Sequence, residues 1–175
     1  VGANSGSPAL PCMRARTSGN ALYIAGLRSW QTTAARDGAF HRVRYSGRPL
    51  EGLIDLHVRA GALELIFSVP LERASAVDPD NYDLQQWNYR WTETYGSDLY
   101  SVADPHKTVG KKGELKGEPL EISAITLSPD GKTITLTTPH LRPVMQLVTR
   151  ARLKSATGHE LPLELAQTIH ALPAH

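Results

Sequence analysis

The run Asn81-Tyr-Asp-Leu-Gln-Gln-Trp-Asn-Tyr-Arg-Trp-Thr-Glu-Thr-Tyr-Gly96 places five aromatic residues in sixteen positions, in a chain of three Trp, six Tyr and two Phe. Flat aromatic faces suit the apolar faces of sugar rings, and polar neighbours can bond the hydroxyls. Read with period two, Tyr82, Leu84, Gln86, Asn88 and Arg90 point one way. Asp83, Gln85, Trp87, Tyr89 and Trp91 point the other. A strand over residues 82–91 is therefore either a core strand or a stacking surface. Trp87, in mid-strand, is expected in the core, since a sandwich domain commonly buries one Trp between its sheets. Trp91 and Tyr95 sit at the strand's end beside a long polar stretch, where burial is harder. The ligand expected there is a polysaccharide, with Trp91 and Tyr95 as platform and Asn88 and Arg90 as hydrogen-bond donors.

Other chemistry-bearing residues assemble less well. The seven histidines show no His-x-His, His-x-x-x-His or His-Glu-x-x-His spacing. His140 and Met145 flank Leu141-Arg142-Pro143 and offer a soft pair for copper, but a turn histidine and a core-filling methionine explain them as well. Asp78, Asp80, Asn81 and Asp83 form a dense oxygen group. It lacks the glycine and distal glutamate of an EF-hand loop, and an Asx-turn accounts for it. No Gly-x-Ser-x-Gly elbow is present. No catalytic residue and no metal ligand is assigned.

A chain of 175 residues fits one domain plus a piece of another. Its 41% hydrophobic and 21% charged residues are ordinary for a globular protein. A net charge of +2, with scattered basic residues, is too weak for a nucleic-acid arm. Cys12 is alone, so neither an intrachain disulfide nor a Cys-x-x-Cys motif exists. No apolar run is long enough for a membrane span. The start at Val1 reads as that of a fragment whose upstream sequence is missing.

The elements that must position the aromatic run are strands, because no segment sustains a 3.6-residue apolar repeat. Residues 1–19 are rich in Gly, Ser, Pro and Ala and read as irregular. Two short strands, 21–25 and 40–45, form a hairpin of the kind that builds propeller blades. After Pro49 come a hairpin at 53–58 and 63–69, a helical turn at 72–77, the aromatic strand, and an exposed polar loop at 97–117. Strands at 120–127 and 132–138 follow around Ser128-Pro-Asp-Gly131. Strands at 144–153 and 161–172 follow around Ala156-Thr157-Gly158. The expected fold class is all-β: an antiparallel seven-strand β-sandwich of Ig or fibronectin-III type over residues 50–173, preceded by the propeller-like piece at 20–49.

Several stretches carry a resemblance: "FSVPLERASAVDPDNYDLQQWNYRW", "YGSDLYSVADP", "ITLSPDGKTITLTTPHLRPVMQL" and "QTIHALP". They resemble the C-terminal Ig-like domain of exported Planctomycetes- and Verrucomicrobia-type proteins. Those proteins join a glucose/sorbosone-dehydrogenase-like β-propeller to c-type cytochrome modules. "LYIAGLRSWQTTAARDGAFHRVRYSGRP" looks like the propeller's end. Phe67, Pro70, Tyr82, Leu127, Asp130, Gly131, Ile134 and Leu136 fall on the scaffold pattern, as packing and turn residues. The resemblance implies a non-catalytic accessory module, structural or interaction-bearing, of an exported (periplasmic or extracellular) redox protein. Its partners would be the neighbouring propeller and cytochrome domains. The chain itself would hold no cofactor, haem c lying in other modules. The alternative it implies is a fragment of a sugar-dehydrogenase-like propeller oxidoreductase, with Arg28, Trp30, Gln31, Arg42 and Arg44 contributing to its site.

Overall fold

The computed structural model describes residues 12–28, 37–93 and 95–173. The chain is all-β with antiparallel sheets, and it divides into two compact units, Val1–Pro49 and Leu50–His175.

In the first unit β1 (Arg14–Ser18), β2 (Ala21–Leu27) and β3 (Gly38–Arg44) lie in that order in one sheet. This corrects the expectation of an irregular segment through residue 19 and of a two-stranded hairpin. β1 has no apolar alternation to announce it; its strand state comes from backbone pairing, Ser18↔Ala21 through Arg14↔Ala25. The reversal is made by Gly19 at φ 57°, a conformation glycine adopts without a Cβ penalty. Tyr23 stacks on Phe40 across β2 and β3, ring centroids 5.7 Å apart.

The second unit opens with β4 (Leu53–Arg59) and β5 (Ala62–Phe67), a hairpin turned at Gly61. A short helix α1 (Arg73–Val77) and a 3₁₀ turn at Pro79–Asn81 lead into β6 (Tyr82–Trp87). Small strands β7 (Leu99–Tyr100), β8 (Thr108–Gly110) and β9 (Glu118–Pro119) come next. Two hairpins follow, β10 (Ala124–Leu127) with β11 (Thr133–Thr137), and β12 (Val144–Lys154) with β13 (Glu160–Ile169).

These strands make two four-stranded sheets, β10-β11-β5-β4 and β13-β12-β6-β9. Period-two alternation gives each an apolar face. Leu63, Leu65, Phe67, Ile134 and Leu136 from one sheet and Leu84, Leu147, Ala151 and Leu153 from the other form a single buried cluster. Each of the Leu, Ile and Phe side chains is worth about 1.5–3 kcal/mol on burial, so this core is the main source of the unit's stability.

The outer face of the second sheet carries a row of cross-strand charges. Arg150 on β12 stands opposite Asp83 on β6 and Glu164 on β13. It donates to Glu164 at 2.9 Å and to Asp83 at 3.2 Å. The bond to Glu164, with support from Asp83, holds the Arg150 guanidinium further above its ordinary pKa. The same guanidinium donates to Leu115 O at 3.2 Å, so it also pins the segment between β8 and β9.

Residues 97–117, expected to be an exposed loop, fold back as a flap. β7 and β8 pair, and Leu99 and Val109 close over Trp87 and Val148 in a second small core. The approach is close enough to demand glycine at position 117, where a Cβ would stand 2.5 Å from Gln86 O and 2.7 Å from Trp87 Cε3.

Candidate aromatic binding surface

The aromatic run does not stay a strand. β6 ends at Trp87, one bridge joins Asn88 to Tyr100, and residues 89–93 leave the sheet. The expected strand over 82–91, with Trp87, Tyr89 and Trp91 on one face, is therefore corrected. The physical reason lies in the partners: β12 pairs β6 only as far as Gln146↔Trp87. Trp87 is buried (0% exposed), whereas Tyr89 is 38%, Tyr95 84% and Trp91 101% exposed. Trp87 meets Tyr89 edge to face, with centroids 6.5 Å apart, so the buried ring supports the first of the surface rings.

A β-bulge builds the floor beside these rings. Between Val144↔Ile169 and Leu147↔Gln167 the β12 strand has one residue more than β13. The extra residue lets Val144 and Leu147 both enter the core and turns Met145 outward. The expectation that Met145 fills the core is thereby corrected; its side chain is half exposed. It is held on every side: its N–H donates to Asn88 Oδ1 (2.9 Å), its carbonyl accepts from Thr168 Oγ1 (2.8 Å), and its sulfur accepts the Tyr89 N–H (3.2 Å). A cavity of about 560 Å³ opens here, lined by Tyr89, Arg90, Tyr100, Pro105, Met145 and His170 among others.

Beyond it the rings carry cations. The Arg90 guanidinium lies over the Tyr100 ring, 5.1 Å from its centroid, and Lys112 Nζ lies 4.6 Å from that of Tyr95. Lys112 Nζ also donates to Tyr95 O, and the Lys112 N–H donates to Asp98 Oδ1 at 3.0 Å. That bond, with help from Lys111, holds the Asp98 carboxyl below the usual carboxylate range. A second, smaller cavity of about 350 Å³ runs between Tyr95, Asp98, Tyr100 and Lys112. Tyr100 lines both cavities, so they border on one ring.

Of the four residues singled out in the sequence, Asn88 and Arg90 line the larger cavity and Tyr95 lines the smaller. Trp91 lines neither and stands free in solvent beside them. The sequence did not point to Lys112, and it offered Met145 only as a soft partner of His140 or as core filling. Lys112 is 17 residues from Tyr95, and only the folding of the flap brings them together.

The remaining candidates resolve into turns and surface pairs. Asp78 Oδ1 accepts the Asp80 N–H at 3.0 Å, an Asx-turn that caps the 3₁₀ turn. His140 lies 4.0 Å from Glu121, exposed. His57 bonds Asp55 and Arg59, and His159 bonds Glu51 at 2.8 Å. Among the described residues no group of three or more His, Cys, Asp or Glu has the geometry to hold a metal ion. In the first unit Arg28 lies 3.9 Å from Asp37, and Arg42 and Arg44 are exposed on β3. Trp30 and Gln31 lie outside the described residues. Among the described residues no helix is long and apolar enough to cross a membrane.

Comparison of the chain with protein-family models, curated proteins and solved structures returned no match.

Proposed function

We propose that Leu50–His175 is a non-catalytic accessory module that binds polysaccharide through the aromatic surface where β6 ends. One observation carries this reading: Trp91 is fully exposed in a run that also exposes Tyr89 and Tyr95, three residues beyond Asn88, which β12 and the flap hold in place. Covering that indole would be favourable, and a run of exposed aromatics is the kind of surface that marks an interaction site. A sugar face stacked on it is worth about 0.5–1.5 kcal/mol beyond its buried area, so a single site binds in the high-micromolar to millimolar range. The scaffold reading that goes with it is an Ig/fibronectin-III-like sandwich, supported by two four-stranded antiparallel sheets on one core.

We place the module in an exported protein whose redox chemistry, including any haem c, belongs to propeller and cytochrome domains elsewhere in the polypeptide. The support is the sequence resemblance, together with the three-stranded antiparallel meander of the first unit, since a propeller blade is a four-stranded sheet of this kind.

Affinity electrophoresis against a panel of plant and algal polysaccharides tests the binding claim. Retardation by at least one polymer, lost in Trp91→Ala, is expected. No retardation, or retardation unchanged by the substitution, leaves the module as a spacer and overturns the claim.

A further inference from the structure

We infer that the polymer this surface takes is anionic, carrying carboxylate or sulfate groups along its sugars; the inference rests on the polysaccharide reading above. Two of the four surface rings already have a cation against one face, Arg90 on Tyr100 and Lys112 on Tyr95. Those faces are closed to sugar stacking, so Trp91, fully exposed, is the platform open on both faces, and Tyr95 offers the face away from Lys112. The cations are also disposed differently from their neighbours. Lys111 is neutralised by Asp98 at 3.5 Å, as Arg59 is by Glu64 and Arg150 by Asp83 and Glu164. Arg90 makes no ion pair among the described residues; the Tyr100 ring holds it in place without engaging a carboxylate. Arg90 lines the larger cavity, where Pro105, Pro143 and Met145 offer no opposing charge. An arginine fixed on an aromatic ring keeps N–H donors suited to a carboxylate or sulfate. Glu93, the exposed carboxylate nearest in sequence, three residues on, lines neither cavity.

Isothermal titration calorimetry with three probes tests this: a galacturonic-acid hexamer, a sulfated dextran hexamer and a neutral glucose hexamer. Wild type, Trp91→Ala, Arg90→Gln and Arg90→Lys are compared, with far-UV circular dichroism to confirm folding. At least one charged hexamer is expected to bind about tenfold more tightly than the neutral one, in keeping with a charge-assisted hydrogen bond. Arg90→Gln should erase that preference, bringing the ratio of charged to neutral affinity to about one, and Arg90→Lys should retain part of it. Which charged hexamer wins tells carboxylate from sulfate. A neutral hexamer that binds as tightly as both charged ones, sensitive to Trp91→Ala, overturns the inference and leaves the polysaccharide reading standing. Charged binding insensitive to Trp91→Ala, or no binding at all, overturns both.

Discussion

Asn88 Oδ1 accepts the backbone N–H of Met145 at 2.9 Å, tying the residue where β6 stops to the residue the β12 bulge turns outward. The bond fixes both the floor of the larger cavity and the direction in which residues 89–91 leave the sheet. It also occupies the oxygen of Asn88, so the amide nitrogen is the group left for a ligand hydroxyl. Asn88→Ala is expected to cost about 1 kcal/mol in urea unfolding, the usual net worth of such a bond. Asn88→Asp keeps the acceptor and should stay near wild type. Equal losses in both would show that the bond does not hold the bulge.

Gly117 gives the flap its closest approach to the sheet. A Cβ there would meet Gln86 O at 2.5 Å, and backbone cannot swing aside as a side chain can. Gly117→Ala should cost about 2 kcal/mol and shift Trp87 fluorescence to the red as the flap lifts. Unchanged stability and emission would mean that the flap does not seal Trp87.

How much of this was legible in the sequence depends on where the information lies. The hairpins could be read because their turns are written locally, as Ala60-Gly61, Ser128-Pro-Asp-Gly131 and Ala156-Thr157-Gly158 between alternating strands. The mid-strand place of Trp87 likewise pointed to its burial. The flap could not be read: Ser97–Gly117 is mostly polar, and nothing local pairs Leu99 with Val109, ten residues on. Nor could the bulge, because one extra residue in Val144–Leu147 is visible only in the register with β13. For that reason Met145 looked like core and β6 looked four residues longer than it is. At the candidate site, the strand-end aromatics and Arg90 followed from position, but the pairing of Arg90 with Tyr100 and of Lys112 with Tyr95 comes from the flap's tertiary fold.

Tyr82 ties β6 to α1, its hydroxyl donating to Ala76 O at 2.6 Å. Burial, with the Asp78 carboxylate adding to it, pushes the phenol well above its ordinary value. The group thus keeps its proton in the fold after an unfolded tyrosine has lost it. Its contribution is complete below the ordinary tyrosine range, about pH 10, and is lost as pH rises from there towards the folded-state value. Tyr82→Phe should lower stability by about 1 kcal/mol at neutral pH. It should also show a shallower alkaline decline than wild type. Parallel declines above about pH 10 would contradict the assignment.

Asp98 gives the opposite dependence. Its carboxyl is held below the usual range, chiefly by the Lys112 N–H, so its contribution is present above the ordinary aspartate value of about 3.9 and fades as pH falls below it. Acidification should loosen the flap around Lys112 before the two main sheets respond, seen as early amide shifts of residues 95–112. Asp98→Asn should show those shifts already at neutral pH. Amide shifts that appear together across both sheets and the flap would count against a local acid response.

The central claim is that Trp91 is the contact point for a polysaccharide. It is tested most directly by the indole N–H signals in a ¹H–¹⁵N spectrum during titration with an oligosaccharide hexamer. The Trp91 signal should move in a saturable way with a dissociation constant in the high-micromolar to millimolar range. The signal of Trp87, sealed under the flap, should stay in place. A Trp91 signal that does not respond to charged or neutral hexamers would contradict the account.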